Sequence, residues 1–159
     1  MFCSTLNTPI GLLIIKATAE SLLFIGYDVD DVEENPGDLT EYAKFQLQEY
    51  FKGKRTSFDF SLEQEGTTFQ KKVWNELIKI PAGNPISYTS LSKKMNSPLA
   101  IRAIASANGK NKLMIVVPCH RVIGSNGELV GYAGGLWRKK WLLEHEARIM
   151  NVGQATLMF

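Results

Sequence analysis

The pentapeptide Pro118, Cys119, His120, Arg121, Val122 sets a thiol beside a basic ring, after the apolar run Leu113 to Val117 and before the turn at Gly124 to Gly127. Thiolate is the nucleophile in cysteine chemistry. A free cysteine ionises near pH ~8.5, so a neighbouring histidine that takes the proton, or stays charged beside the sulfur, raises the reactive fraction. A histidine base needs an orienting acceptor on its other nitrogen, and Glu146, in the segment Trp141 to Glu146, is the candidate. A lone Cys-His pair is more often a buried structural cysteine beside a surface histidine, since most cysteines are inert. The reactive alternative needs Cys119 at the end of a buried strand, where a following turn presents the side chain to a cleft.

The elements that must position this pair can be read from periodicity. Leu113 to Val117 is the expected buried strand. Upstream, Phe2 to Thr5, Leu12 to Thr18 and Leu22 to Asp28 are short β-branched, apolar runs separated by turn residues, the pattern of an antiparallel meander. Leu39 to Lys52 has helical periodicity and stops at Gly53, and the acidic stretch Asp30 to Asp38 reads as a loop. Thr67 or Thr68 caps a helix through Phe69, Val73, Trp74, Leu77 and Ile78, which Pro81 and Gly83 stop. Ser87 or Thr89 begins a short helix through Leu91 and Met95, Asn96 to Pro98 break it, and Leu99 to Ala107 form another, a helix-turn-helix pattern. The fold class is α+β: an N-terminal antiparallel sheet with a helix over 1–65, then a mostly helical domain with a helix-turn-helix over 66–159.

Composition narrows the partner. The net charge of +2 hides an asymmetry: residues 1–65 carry five Lys/Arg and twelve Asp/Glu, a net of −7, while residues 86–142 carry nine Lys/Arg and one acid, Glu128, a net of +8. The second half is therefore the one expected to face a polyanion. Two cysteines cannot build a disulfide framework, and a reduced Cys119 suits a reducing compartment. No apolar run approaches the ~18 residues of a transmembrane helix. Met1 to Pro9 lacks a basic region followed by an apolar core, so no secretory signal is expected and a cytoplasmic location is (nuclear for a eukaryotic source).

Pro118 to Val122, the downstream Gly131 to Leu136, the segment Leu142 to Glu146, and upstream Ile86, Ser87, Tyr88 resemble the O6-alkylguanine-DNA alkyltransferases in identity and spacing. The likeness is strong from Phe69 to Ala147 and general before that. It implies a ribonuclease-H-like N-terminal half, and a recognition helix lying in the minor groove of double-stranded DNA that contains alkylated guanine. On that helix the resemblance gives Arg102 as the residue entering the base stack in place of an extruded nucleotide. A plug of this kind answers a physical need, because an atom inside a duplex cannot reach a protein pocket until its base is flipped. Ala103, Ser106 and Ala107 would share a small-residue face allowing close approach to the groove.

The resemblance also implies that Tyr88 approaches the flipped guanine and assists rotation of its phosphate, and that Asn111 ties the recognition helix to the active-site strand. Ala133 offers a backbone N–H to the guanine oxygen, the carbonyls of Cys119 and Val122 accept from its amino group, and Tyr132 lines the same pocket. Arg121 joins the DNA-contacting set, with Lys110 and Lys139 as candidates for phosphate contact. The implied reaction moves the alkyl group from O6 of guanine to Cys119 Sγ, once and irreversibly, with Glu146 and His120 activating the thiol. No cofactor is required. The protein is expected to be a monomer that engages no membrane. Relatives that bind zinc use the N-terminal half, but Cys3, Cys119, His120 and His145 cannot supply a separate four-ligand set here, so no metal is expected. Lys112 stands where the family often has proline. A lesion-binding relative would lack the thiol, a cysteine hydrolase would need an oxyanion hole, and a helix-turn-helix transcription factor would leave the Cys-His-Glu spacing unexplained.

Overall fold

The computed structural model describes residues 1–27 and 32–150. The described residues divide into two compact units, one of Met1–Gln64 with Lys112–Val116, the other of Glu65–Asn111 with residues 117–150.

In the first unit, strands β1 (Phe2–Thr8), β2 (Gly11–Ala17) and β3 (Leu22–Tyr27) form an antiparallel sheet in the order β1-β2-β3. The first hairpin pairs Phe2 with Ala17 and Thr8 with Gly11, and Gly11 sits at φ 109°, a conformation that favours glycine. Leu13, Ile14 and Ile15 of the central strand are all fully buried, so both of its faces are covered, each side chain contributing about 1.5–3 kcal/mol relative to exposure. Helix α1 (Asp38–Phe51) lies against β1 and β2 and buries Ala43, Leu47 and Tyr50. All three strands and the helix stand within a few residues of the sequence expectation. In the expected acidic loop, Asn35 pairs with the backbone of Cys3, while Asp30 and Asp31 lie outside the described residues, as does Asp28 at the end of the third predicted strand.

The run Leu113 to Val117 is not the strand that its apolarity predicts. Only Leu113 bridges to β3, at Ile25; the chain then turns through Met114 to Val116, with Ile115 at φ 72°. Leu113, Ile115 and Val117 are almost wholly buried, but among the described residues no neighbouring strand continues the ladder, and backbone groups here bond within turns, as in Val116 N–H to the Met114 carbonyl. Burial without a partner strand gives an apolar run that only looks like β-structure. Lys112 uses its backbone N–H to donate to Gln64 Oε1, a bond that proline at this position could not make.

The second unit holds helices α2 (Thr68–Ile78), α3 (Tyr88–Lys94), α4 (Ile101–Gly109) and α5 (Leu136–Ile149). Thr67 caps α2 in a reciprocal box with Gln70, and Ser87 caps α3 by accepting from Ser90 N–H. Helices α3 and α4 pack together across the turn 95–100, giving the expected helix-turn-helix with α4 shifted two residues toward the C-terminus. Two short strands, β4 (Ile86–Ser87) and β5 (Val122–Ile123), pair in parallel, Ile86 with Val122. No helix among the described residues is long and apolar enough to cross a membrane.

Candidate active site

The β4–β5 pairing brings the chemistry together. Tyr88 follows β4 directly, and a single 3-10 turn, Cys119–Arg121, leads directly into β5. Tyr88 and Cys119 therefore meet at one cavity of about 90 Å³, lined also by Ala105 and Asn108 of α4 and by Tyr132 and Ala133 of the loop before α5. Cys119 sits on a turn and is only 2% exposed, so its access to substrate runs through this cavity and not through an open cleft.

Behind the thiol lies a fully enclosed histidine–carboxylate hydrogen bond. His120 Nε2 is 2.8 Å from Glu146 Oε2, with neither side chain exposed. The same carboxylate receives a fork from Arg121, Nε to Oε1 at 2.8 Å and Nη2 to Oε2 at 2.9 Å, while Nη1 donates to the Ile80 carbonyl at 2.7 Å. Burial alone would raise the Glu146 pKa, but the facing His120 and Arg121 overcome it and hold the carboxyl well below the usual range. Burial pushes His120 downward, against the pull of Glu146, so the ring is neutral at pH 7. An ionised Glu146 can only accept, which places the imidazole proton on Nε2 and leaves Nδ1 with a bare lone pair. That Nδ1 is buried and has no hydrogen-bond partner. Burial also raises Cys119, while a hydrogen bond from Asn111 and the charge on Lys139 pull its pKa back down. The arrangement is a neutral thiol with a neutral, oriented base in the adjacent residue.

Lys139 of α5 is the second buried cation. Its ammonium donates to the carbonyls of Val122 at 2.6 Å, Val130 at 2.8 Å and Gly131 at 3.1 Å, fastening β5 to the two residues just before Tyr132. Burial lowers its pKa to about 8.

Two family models cover nearly all of this chain. The one described as "6-O-methylguanine DNA methyltransferase, ribonuclease-like domain" matches residues 1–64, and the one described as "6-O-methylguanine DNA methyltransferase, DNA binding domain" matches residues 68–148. The chain belongs to this family. A methylated-DNA--protein-cysteine methyltransferase of Methanosarcina acetivorans is 40% identical over 153 residues, 92% of this chain and 98% of that one. A constitutive methylated-DNA--protein-cysteine methyltransferase of Bacillus subtilis is 41% identical over 158 residues, 93% of this chain and 96% of that one. The crystal structure of Mycobacterium tuberculosis OGT in complex with DNA superposes with a TM-score of 0.85 at 38% identity, covering 94% of each chain.

Within this family member, the structure assembles Cys119, His120, Glu146, Tyr88, Tyr132 and Ala133 in or directly behind one cavity. Asn111 is buried just beyond α4, its amide donating to the Val117 carbonyl at 2.9 Å. Arg102, Ala103 and Ser106 are exposed on α4. Four expectations change. Ala107 does not share their face: it is 1% exposed, and its carbonyl accepts from Trp74 Nε1 of α2 at 2.9 Å. Arg121 is no surface contact for a phosphate, because its guanidinium is engaged by Glu146 and Ile80 inside the unit. Lys139 is likewise enclosed, held by three carbonyls, while Lys110 stays exposed. Val122 is fully buried and is not among the residues lining the cavity, although its carbonyl, which accepts from Lys139, keeps a second lone pair. Sequence reasoning also missed Asn108. A signal existed: Ile104, Ala107 and Asn108 recur at helical spacing on the buried side of α4, which makes Asn108 a polar residue on an apolar stripe.

Proposed function

We propose that this protein repairs DNA by moving an alkyl group from O6 of a guanine to Sγ of Cys119, once per molecule. The observation that carries this is the placement of Cys119 in the lining of a small cavity, with the neutral His120 held by an ionised Glu146 behind it. His120 takes the thiol proton at Nδ1 through one water, Nδ1 making no hydrogen bond of its own to the protein. The Sγ lone pair attacks the alkyl carbon, the S–C bond forms as the C–O6 bond breaks, and the bonding pair leaves with the guanine. Tyr88, whose pKa is raised by burial, stays protonated and donates to the departing base. The thioether product has no second nucleophile to release it, so the reaction ends there.

DNA binding rests on the basic second unit. Exposed Arg102, Ala103 and Ser106 of α4 form the surface offered to the minor groove, Arg102 filling the gap left by the flipped guanine. The protein acts as a monomer on double-stranded DNA, and its location is cytoplasmic.

Intact-protein mass spectrometry after incubation with excess duplex containing O6-methylguanine tests the reading. One methyl group should be added, on the peptide holding Cys119, and no more. Cys119→Ser should keep duplex binding and gain nothing. Label on Cys3, or continued turnover, overturns the assignment.

A further inference from the structure

One buried polar side chain beside the thiol has no part in the relay. Asn108 is 6% exposed and lines the cavity with Cys119 and Tyr88. Its Nδ2 donates to Tyr88 Oη at 3.0 Å and lies 3.3 Å from the carbonyl oxygen of Cys119. Its Oδ1 is buried with no partner. A carbonyl oxygen can only accept, so the amide atom facing Cys119 O must be the nitrogen, and the flip of the amide is fixed by chemistry. The second N–H then points at the phenol, and Tyr88 Oη is an acceptor toward Asn108. Its own proton must point elsewhere.

We propose that Asn108 is a positioning residue for the proton donor: by donating to Tyr88 Oη it turns the phenolic hydrogen into the substrate cavity, toward the guanine that leaves. The inference deepens the function proposed above and rests on it. When Sγ takes the alkyl carbon and the C–O6 electron pair passes into the guanine ring, negative charge develops on the ring nitrogens. A phenol already aimed at one of them donates without first rotating, and if its proton transfers fully, water reprotonates the phenolate. Burial, which raises the phenol's pKa, keeps that proton in place until the base leaves, and the hydrogen bond from Asn108 partly offsets the rise. The orphaned Oδ1 is the mark of the arrangement. An asparagine turned to satisfy its own oxygen could accept from the phenol, but it would then draw the proton away from the substrate and set two acceptors against each other at Cys119.

The test is a double-mutant cycle on single-turnover transfer from a methylated duplex. Asn108→Leu keeps nearly the same shape and loses both donors; it should slow transfer by about tenfold or more, part of the range general acids contribute. Duplex affinity, measured with Cys119→Ser present in each protein, should change less than about twofold, a split that a generally disturbed unit would not show. In a Tyr88→Phe background the same substitution should add less than about twofold, because the hydroxyl it orients is gone. Should Asn108→Leu fail to fold, Asn108→Ala is read in the same cycle. Equal slowing with and without Tyr88→Phe overturns the inference, as does parental transfer by the single variant. Failure of the unsubstituted protein to place a methyl on Cys119 instead removes the underlying function, so the two failures are distinct.

Discussion

Replacing Glu146 by glutamine changes one charge and almost no volume, and the local geometry dictates the consequences. Oε1 accepts from Arg121 Nε, and Oε2 accepts from both His120 Nε2 and Arg121 Nη2, all within 2.8–2.9 Å. A glutamine has one acceptor oxygen, so in either orientation its NH2 group faces a donor. With NH2 toward His120, the ring is satisfied only by moving its proton to Nδ1, which consumes the lone pair that serves as base. With NH2 toward Arg121 Nε, the guanidinium loses its fork. In both cases Arg121, 5% exposed, is left without a counter-ion. Breaking a buried pair in this way costs about 3–5 kcal/mol, against a total stability of about 5–15 kcal/mol. Transfer should fall by about two to four orders of magnitude, the scale of a wrong imidazole tautomer.

Two assays on Glu146→Gln separate these effects. Urea unfolding at neutral pH reads the stability loss, and single-turnover transfer under conditions where the variant is folded reads the chemistry. The double substitution Arg121→Met with Glu146→Gln removes both charges and should regain most of the stability while transfer stays slow. The pH dependence has a definite sign. The Glu146 pKa is depressed in the fold, so its contribution is complete above its ordinary value of 4.5 and is lost as pH falls through the folded value. The acid limb of the unfolding curve should therefore flatten in the variant. A Glu146→Gln protein within about 1 kcal/mol of the parent, or a double variant that transfers at the parental rate, refutes the account.

Further outcomes are expected elsewhere in the second unit. Arg102→Ala should strongly reduce repair of duplex DNA yet barely change reaction with free O6-benzylguanine, which needs no flipping; equal loss on both substrates would assign Arg102 to the pocket itself. Lys139→Met removes three carbonyl contacts and a cation that favours the Cys119 thiolate, so transfer should drop at neutral pH. The parental rate should level off as pH rises through about 8, where Lys139 loses its proton, while the variant keeps rising toward the thiol's ionisation. Identical pH profiles for the two proteins would show that Lys139 acts on the loop alone.

The parts of this fold that local patterning determines could be read from the chain. β-Branched runs between turn residues marked the meander, and Thr67 with Gln70 forms a cap that periodicity alone leaves open between two threonines. Cys119 and His120 are adjacent, so the candidate pair needs no fold to find it. Long-range pairing was less legible. Leu113 to Val117 has the composition of a buried strand, yet among the described residues it makes one bridge and then a bend. Arg121 and Lys139 read as surface cations because long charged side chains are rarely enclosed. What encloses them is a carboxylate 25 residues away in one case and three carbonyls in the other, and neither partner is marked by spacing.

The buried cations also explain why the thiol can be stored and still react. Burial holds Cys119 mostly as the neutral thiol at pH 7, a poor target for oxidants and stray electrophiles, which act on exposed thiolate. A nucleophile consumed in one reaction gains from such protection, since no turnover regenerates it. On the function proposed above, three groups would help to ionise it: the Nδ1 lone pair of His120, the Glu146 anion that fixes the tautomer, and the Lys139 charge that favours thiolate. A base filling the cavity displaces water and strengthens each of these interactions by lowering the local dielectric. On that reading selectivity comes from access, because a group reaches the sulfur through the cavity lined by Tyr88, Asn108 and Cys119.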